Sequence, residues 1–113
     1  MDILFVEDSE ESRVLFARLL TGGGHRVVPA ASVGEALGLL ACLRFDVLVS
    51  DITLPDGSGL DLVAEAKKRQ RFRKAVALTG HAKPEDREEG LRAGFDEYLT
   101  KPVDFHQLRA LFD

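Results

Sequence analysis

The sequence predicts an α/β fold, a doubly wound, five-stranded parallel sheet with helices on both faces. Two observations carry this expectation. Short continuous apolar runs alternate with segments whose apolar residues recur at helical spacing, and short loops join them. Continuous apolar runs suit strands buried on both faces, as in a parallel sheet. With 113 residues, 45% hydrophobic and 30% charged, the chain can bury a core and reads as one globular domain over residues 1–113.

The first strand is Ile3-Leu4-Phe5-Val6, and the first helix starts near Glu10 with Val14, Leu15, Arg18 and Leu19 at helical spacing. Gly22-Gly23-Gly24 follows a helix and precedes a strand, so it reads as a C-cap and turn. Arg26-Val27-Val28-Pro29-Ala30 is a weaker strand, and its proline places it at a sheet edge. Val33, Ala36, Leu37, Leu40 and Ala41 mark the second helix, on which Cys42 reads as packing. Val47-Leu48-Val49 is the third strand. Leu60, Leu62, Val63 and Ala66 mark the third helix, which ends in Lys67-Lys68-Arg69 as the helix dipole favours. Ala75-Val76-Ala77-Leu78 is the fourth strand. Pro84 opens the fourth helix and Ala93-Gly94 stops it. Tyr98-Leu99 is a short fifth strand. The fifth helix starts near Asp104 and uses Phe105, Leu108, Leu111 and Phe112. Its apolar pattern is still running at Asp113, so we expect a truncated helix.

Composition excludes several functions. A net charge of -4 argues against direct nucleic-acid binding. One cysteine forbids an internal disulfide and fits a reducing compartment. No apolar run approaches the roughly 20 residues of a membrane span, and the start lacks a secretory pattern. The expected address is the cytoplasm.

Right-handed βαβ connections predict the flavodoxin-like strand order 2-1-3-4-5, with the site beyond the strand ends where the order reverses. Glu7-Asp8 follows the first strand there, and Asp51 follows the third. Taken singly, Asp8 or Ser9 reads as a helix cap and Asp51 as a turn carboxylate. Together they favour a metal site. Three clustered carboxylates repel one another, and a hard divalent cation with oxygen ligands removes the conflict. Thr79 ends the fourth strand in "ALTGHA", and Lys101 follows the fifth in "YLTKP". A hydroxyl and an ammonium beside carboxylates suit a phosphoryl group. Asp51 is the best-placed nucleophile, able to form an aspartyl-phosphate.

The stretches "FVEDS", "VSDITLPDGSGLDLV", "ALTGHA" and "DEYLTKPV" resemble, in order and spacing, the motifs of response-regulator receiver (CheY-like) domains of two-component signalling. The resemblance covers essentially the whole chain. It implies that Asp51 is the phosphoacceptor, supplied by a histidine kinase or a histidine phosphotransfer domain. It implies Mg²⁺, with Mn²⁺ as a substitute, bound directly by Asp8 and Asp51, through water by Glu7, and by the backbone carbonyl of Thr53. Thr79 and Lys101 would contact the phosphoryl oxygens, Thr79 and Tyr98 would form the switch, and the Lys101-Pro102 peptide would be cis. The output surface would be the fourth helix, fifth strand and fifth helix. Such a module is not an enzyme acting on other substrates, though it catalyses its own phosphorylation and dephosphorylation.

Thr53 stands where the family more often has a larger residue, and His81 lies two residues after Thr79. Both positions tune phosphoryl lifetime in that family. The wording "DGSGLDL" and "LTGHA" resembles receivers fused to hybrid histidine kinases. The output domain is not legible. Gly57 and Gly59 are expected to serve the turn into the third helix, and Gly57-Ser58-Gly59 lacks the G-x-S-x-G spacing. His25, His81 and His106 have no metal-ligand spacing. Two rival classes fare worse. A haloacid-dehalogenase-type phosphatase wants D-x-D-x-T, and Thr53 stands where the second acid belongs. An FMN-binding flavodoxin would find its cofactor phosphate repelled by Glu7-Asp8.

Overall fold

Strands and helices alternate along the chain in a computed structural model that describes residues 1–80 and 84–111. They are β1 (Asp2–Val6), α1 (Glu10–Gly22), β2 (Arg26–Ala30), α2 (Val33–Cys42) and β3 (Val47–Asp51), then a hairpin of β4 (Thr53–Leu54) and β5 (Gly57–Ser58). There follow α3 (Gly59–Arg69), β6 (Lys74–Thr79), α4 (Pro84–Ala93), β7 (Glu97–Thr100) and α5 (Phe105–Ala110). The main sheet is parallel in the order β2-β1-β3-β6-β7. With the small hairpin set aside, this is the predicted 2-1-3-4-5 arrangement, and Pro29 lies in an edge strand as expected.

Alternate residues of each central strand feed two cores. Leu4, Val6, Leu48, Ala75 and Ala77 pack on one face with Ala36, Leu40, Leu62, Val63 and Phe95. Ile3, Phe5, Val47, Val49, Val76 and Leu78 pack on the other with Leu20 and Leu108. Burial on both faces explains why these strands read as unbroken apolar runs.

Serines at positions 9, 32 and 58 cap α1, α2 and α3, each accepting a backbone N–H from the first turn, and Asp104 does the same for α5. The triple glycine is a C-cap and turn: Gly23 closes α1, and Gly24 takes φ +93°, which glycine adopts at little cost.

Three details differ from expectation. Val14 and Leu15, predicted on the apolar spacing of α1, are 46% and 52% exposed, and the helix packs through Phe16 and Leu20 instead. Cys42, expected to pack, is exposed at the last turn of α2. The segment after Asp51, where Gly57 and Gly59 are expected only to turn the chain into the third helix, folds back as β4-β5, with Thr53 opposite Ser58 and Leu54 opposite Gly57. The expectations on His81 and Phe112 fall outside the described residues.

Candidate functional site

Strand register brings the predicted site residues to one edge. Val6 lies opposite Ser50, so Glu7 falls beside Asp51. Asp51 pairs with Leu78, so Thr79 lies one step beyond it, and Thr79 pairs with Thr100, so Lys101 lies one step further. Lys101 is bound to the neighbouring strand by its backbone N–H, which donates to the Thr79 carbonyl at 2.6 Å.

The carboxylates converge. Oxygens of Glu7, Asp8 and Asp51 lie within 4.8 Å of one another. Glu7 and Asp51 are 2% and 8% exposed, and Asp8 faces solvent. Ser9, not Asp8, caps α1, so the cap reading of Asp8 falls away. Arg13 fixes the turn by donating to the carbonyls of Glu7 at 2.9 Å and Asp8 at 3.3 Å. The Lys101 ammonium donates to Glu7 Oε2 at 3.0 Å and to Asp51 Oδ2 at 2.8 Å. Thr53 N–H reaches the other Asp51 oxygen at 3.3 Å.

These contacts set the electrostatics. Burial pushes the Glu7 carboxyl above its ordinary range; the Lys101 hydrogen bond opposes this and the Asp51 charge adds to it. Burial alone would lower the Lys101 ammonium, yet its hydrogen bonds to Asp51 and Glu7 outweigh that and leave it above the ordinary lysine value. A single ammonium thus serves two buried carboxylates with a third alongside. An all-oxygen, acidic donor set of this kind fits a hard divalent cation.

Backbone crowding explains how Asp51 is held. A Cβ at Gly59 would run into the Asp51 carbonyl oxygen and lie 3.0 Å from Ile52 Cα, so only glycine lets α3 start there. Gly59 N–H donates to the Ile52 carbonyl at 2.6 Å, closing the β4-β5 hairpin at its base. Gly57 is the less crowded of the two glycines expected in this turn, with a Cβ there meeting Val33 at 3.4 Å.

The Lys101-Pro102 peptide is cis. Tyr98 is half-buried on β7. Its ring lies against Gly90 of α4, where a Cβ would come within 3.0 Å of Cε2, and the Arg87 guanidinium sits 5.9 Å from the ring centre. A cavity of about 210 Å³ is lined by both Thr79 and Tyr98, together with Ile52, Thr53, Leu60, Asp86 and Glu89.

This constellation on this sheet has close counterparts. Residues 3–113 match the family model described as the response regulator receiver domain. The chain belongs to the response regulator receiver family. Like other receiver domains, it is a phosphoacceptor module of two-component signalling. Among curated relatives, an uncharacterised 14.6 kDa protein of Leptolyngbya boryana is 41% identical over 106 residues, spanning 92% of this chain and 81% of that protein. The two-component response regulator PhoP of Pseudomonas aeruginosa is 36% identical over 97% of this chain and 49% of its own length. This receiver thus spans about half the length of such regulators. Chemotaxis protein CheY4 of Vibrio cholerae superposes with a TM-score of 0.91 at 30% identity, covering 98% of this chain and 94% of that one. A Burkholderia pseudomallei response regulator gives a TM-score of 0.91 at 29% identity over 99% of this chain and 66% of its own, and its crystal structure holds a phosphorylated aspartic acid and a calcium ion.

Sequence reasoning named Glu7, Asp8, Asp51, Thr79 and Lys101, which the fold brings to one edge. It missed Arg13 and the Asp56 carboxylate, which accepts the N–H groups of Val33 at 2.8 Å and Gly34 at 2.9 Å. Both act on backbone groups, and partners of that kind leave no spacing signature.

Proposed function

We propose that Asp51 is the phosphoacceptor of this receiver and that a histidine kinase or histidine phosphotransfer domain supplies the phosphoryl group. The observation that carries this is the Lys101 ammonium 2.8 Å from Asp51, inside the only three-carboxylate cluster found among the described residues. An Asp51 oxygen attacks the phosphorus of phosphohistidine, forming an O–P bond as the N–P bond breaks and the imidazole leaves. Asp8 and Asp51 directly, Glu7 through water and the Thr53 carbonyl would hold Mg²⁺, or Mn²⁺ in its place. The cation supplies charge neutralisation at the phosphoryl oxygens. Lys101 donates to one phosphoryl oxygen and Thr79 to another. The calcium ion and phosphorylated aspartic acid of the Burkholderia regulator support this reading by analogy.

Thr79 drawn toward the phosphoryl group enlarges the cavity beside Tyr98, whose ring then turns inward and alters the surface of α4, β7 and α5. That surface is where an output partner docks. The module works without a nucleic-acid or membrane ligand of its own, and its setting is the cytoplasm; no described helix is long and apolar enough to cross a membrane.

Acetyl phosphate with Mg²⁺ tests the assignment. Intact-mass analysis should show one added phosphoryl group on the wild type and none on Asp51→Asn. Equal phosphorylation of the variant overturns it.

A further inference from the structure

We infer that Asp56 is a positioning residue for the cation site, holding the β4-β5 hairpin, and with it the Thr53 carbonyl, against the first turn of α2. The inference rests on the proposed cation site of Glu7, Asp8 and Asp51, to which the Thr53 carbonyl would add a ligand.

The hairpin has two paired positions on each side, too few to be stable alone. Its base is fixed by the Gly59–Ile52 hydrogen bond and by Leu54, 6% exposed. At its tip, Asp56 Oδ1 accepts Val33 N–H at 2.8 Å and Oδ2 accepts Gly34 N–H at 2.9 Å. Both donors are first-turn amides of α2, which no residue within the helix can satisfy. A carboxylate gains further from the positive end of the helix dipole. Ser32 already caps α2 locally by accepting Glu35 N–H at 3.1 Å, so Asp56 is not needed to start the helix. What it adds is a cross-link of 22 and 23 residues in sequence between helix and hairpin. The depressed pKa of Asp56, caused first by Gly34 and then by Val33, agrees with a carboxylate held in both bonds.

A carbonyl ligand works only if its backbone stays put, because Mg²⁺ tolerates little departure from octahedral geometry. Release of the tip frees Thr53 to move. Cation affinity should therefore fall while the phosphotransfer residues stay in place.

The test is an Mg²⁺ titration of the intact chain followed by amide chemical shifts, with Mg²⁺ alone as the probe. Asp56→Ala should raise Kd about 3- to 10-fold, with Asp56→Asn between it and wild type, because the amide keeps one acceptor oxygen. Phosphorylation by acetyl phosphate at saturating Mg²⁺ should stay within about 2-fold of wild type. Val33→Pro removes one donor without touching any charge. Proline suits the first helical position, and Ser32 before it is already extended at φ −155°, ψ 167°. It should raise Kd in the same direction. A lower melting temperature with unchanged Kd in both Asp56→Ala and Val33→Pro would reduce Asp56 to a stability clip and overturn the inference. Equal losses in Ala and Asn that salt abolishes, with Val33→Pro at wild-type affinity, would assign the effect to through-space charge and also overturn it. Failure of the underlying reading shows separately, as wild-type Mg²⁺ affinity in Asp8→Asn.

Discussion

Lys101 and Asp56 show two ways in which one side chain organises an acidic edge. Lys101 joins Glu7 and Asp51 from different strands, so the buried carboxylates share one compact cation. Asp56 binds backbone only, and its carboxyl is held below the ordinary aspartate range by Gly34 and Val33 N–H groups. A carboxylate whose pKa is depressed on folding contributes stability above its unfolded value and loses it as pH falls through the folded one. The melting-temperature gap between wild type and Asp56→Asn should therefore be steady near neutrality and close as pH drops below about 4. Calorimetric melts across pH 3 to 7 measure it. A gap that widens toward acid would have the wrong sign for this linkage.

Helix α3 is fixed at both ends by contacts of different kinds. At its N-terminus Gly59 sits too close to Asp51 for any side chain. At its C-terminus Gln70, 9% exposed, donates to the carbonyls of Leu40 at 3.0 Å and Leu43 at 2.5 Å and accepts Phe45 N–H at 3.0 Å. One amide thus binds the end of α2 and the chain entering β3 to the end of α3. Gln70→Ala strands these groups, and a loss of about 1–3 kcal/mol is expected from urea unfolding. Acetyl-phosphate labelling per folded molecule should be unchanged, since Gln70 touches nothing at the acidic edge. Gly59→Ala overpacks a backbone contact and should cost about 1–3 kcal/mol as well. It should also slow labelling, because the displaced carbonyl belongs to Asp51. Equal labelling rates in the two variants would refute this division between the ends of α3.

Across the molecule, the proposed switch would link the acidic edge to a surface one strand away. Thr79 is 5% exposed and lines one cavity with Tyr98, whose ring lies against Gly90. Beryllofluoride with Mg²⁺, a phosphoryl mimic, should therefore shift amide signals of α4, β7 and α5 and the Tyr98 ring signals, and leave the C-terminal half of α2 nearly unmoved. Thr79→Ala should bind the mimic yet give a much smaller α4 response. Unchanged Tyr98 ring signals in the wild type, or a full α4 response in Thr79→Ala, would refute the route.

The order of strands and the acidic edge were legible because they rest on local pattern plus one topological rule. Apolar runs mark two-sided burial, and right-handed crossovers bring Glu7, Asp8, Asp51, Thr79 and Lys101 to the same strand ends. Val14 and Leu15 resisted that reading. A helix has several faces with apolar candidates, and only packing against Phe5 and its neighbours selects Phe16 and Leu20. Cys42, the last residue of α2, is exposed although its helix packs through Ala36 and Leu40. Tertiary structure alone decided that the segment after Asp51 folds back as a hairpin, that Asp56 reaches α2 and that Gln70 joins three segments. Periodicity reports which way a residue faces within its own element. Which backbone groups a polar side chain will meet depends on how distant elements are set beside each other, and that exists only once the chain has folded.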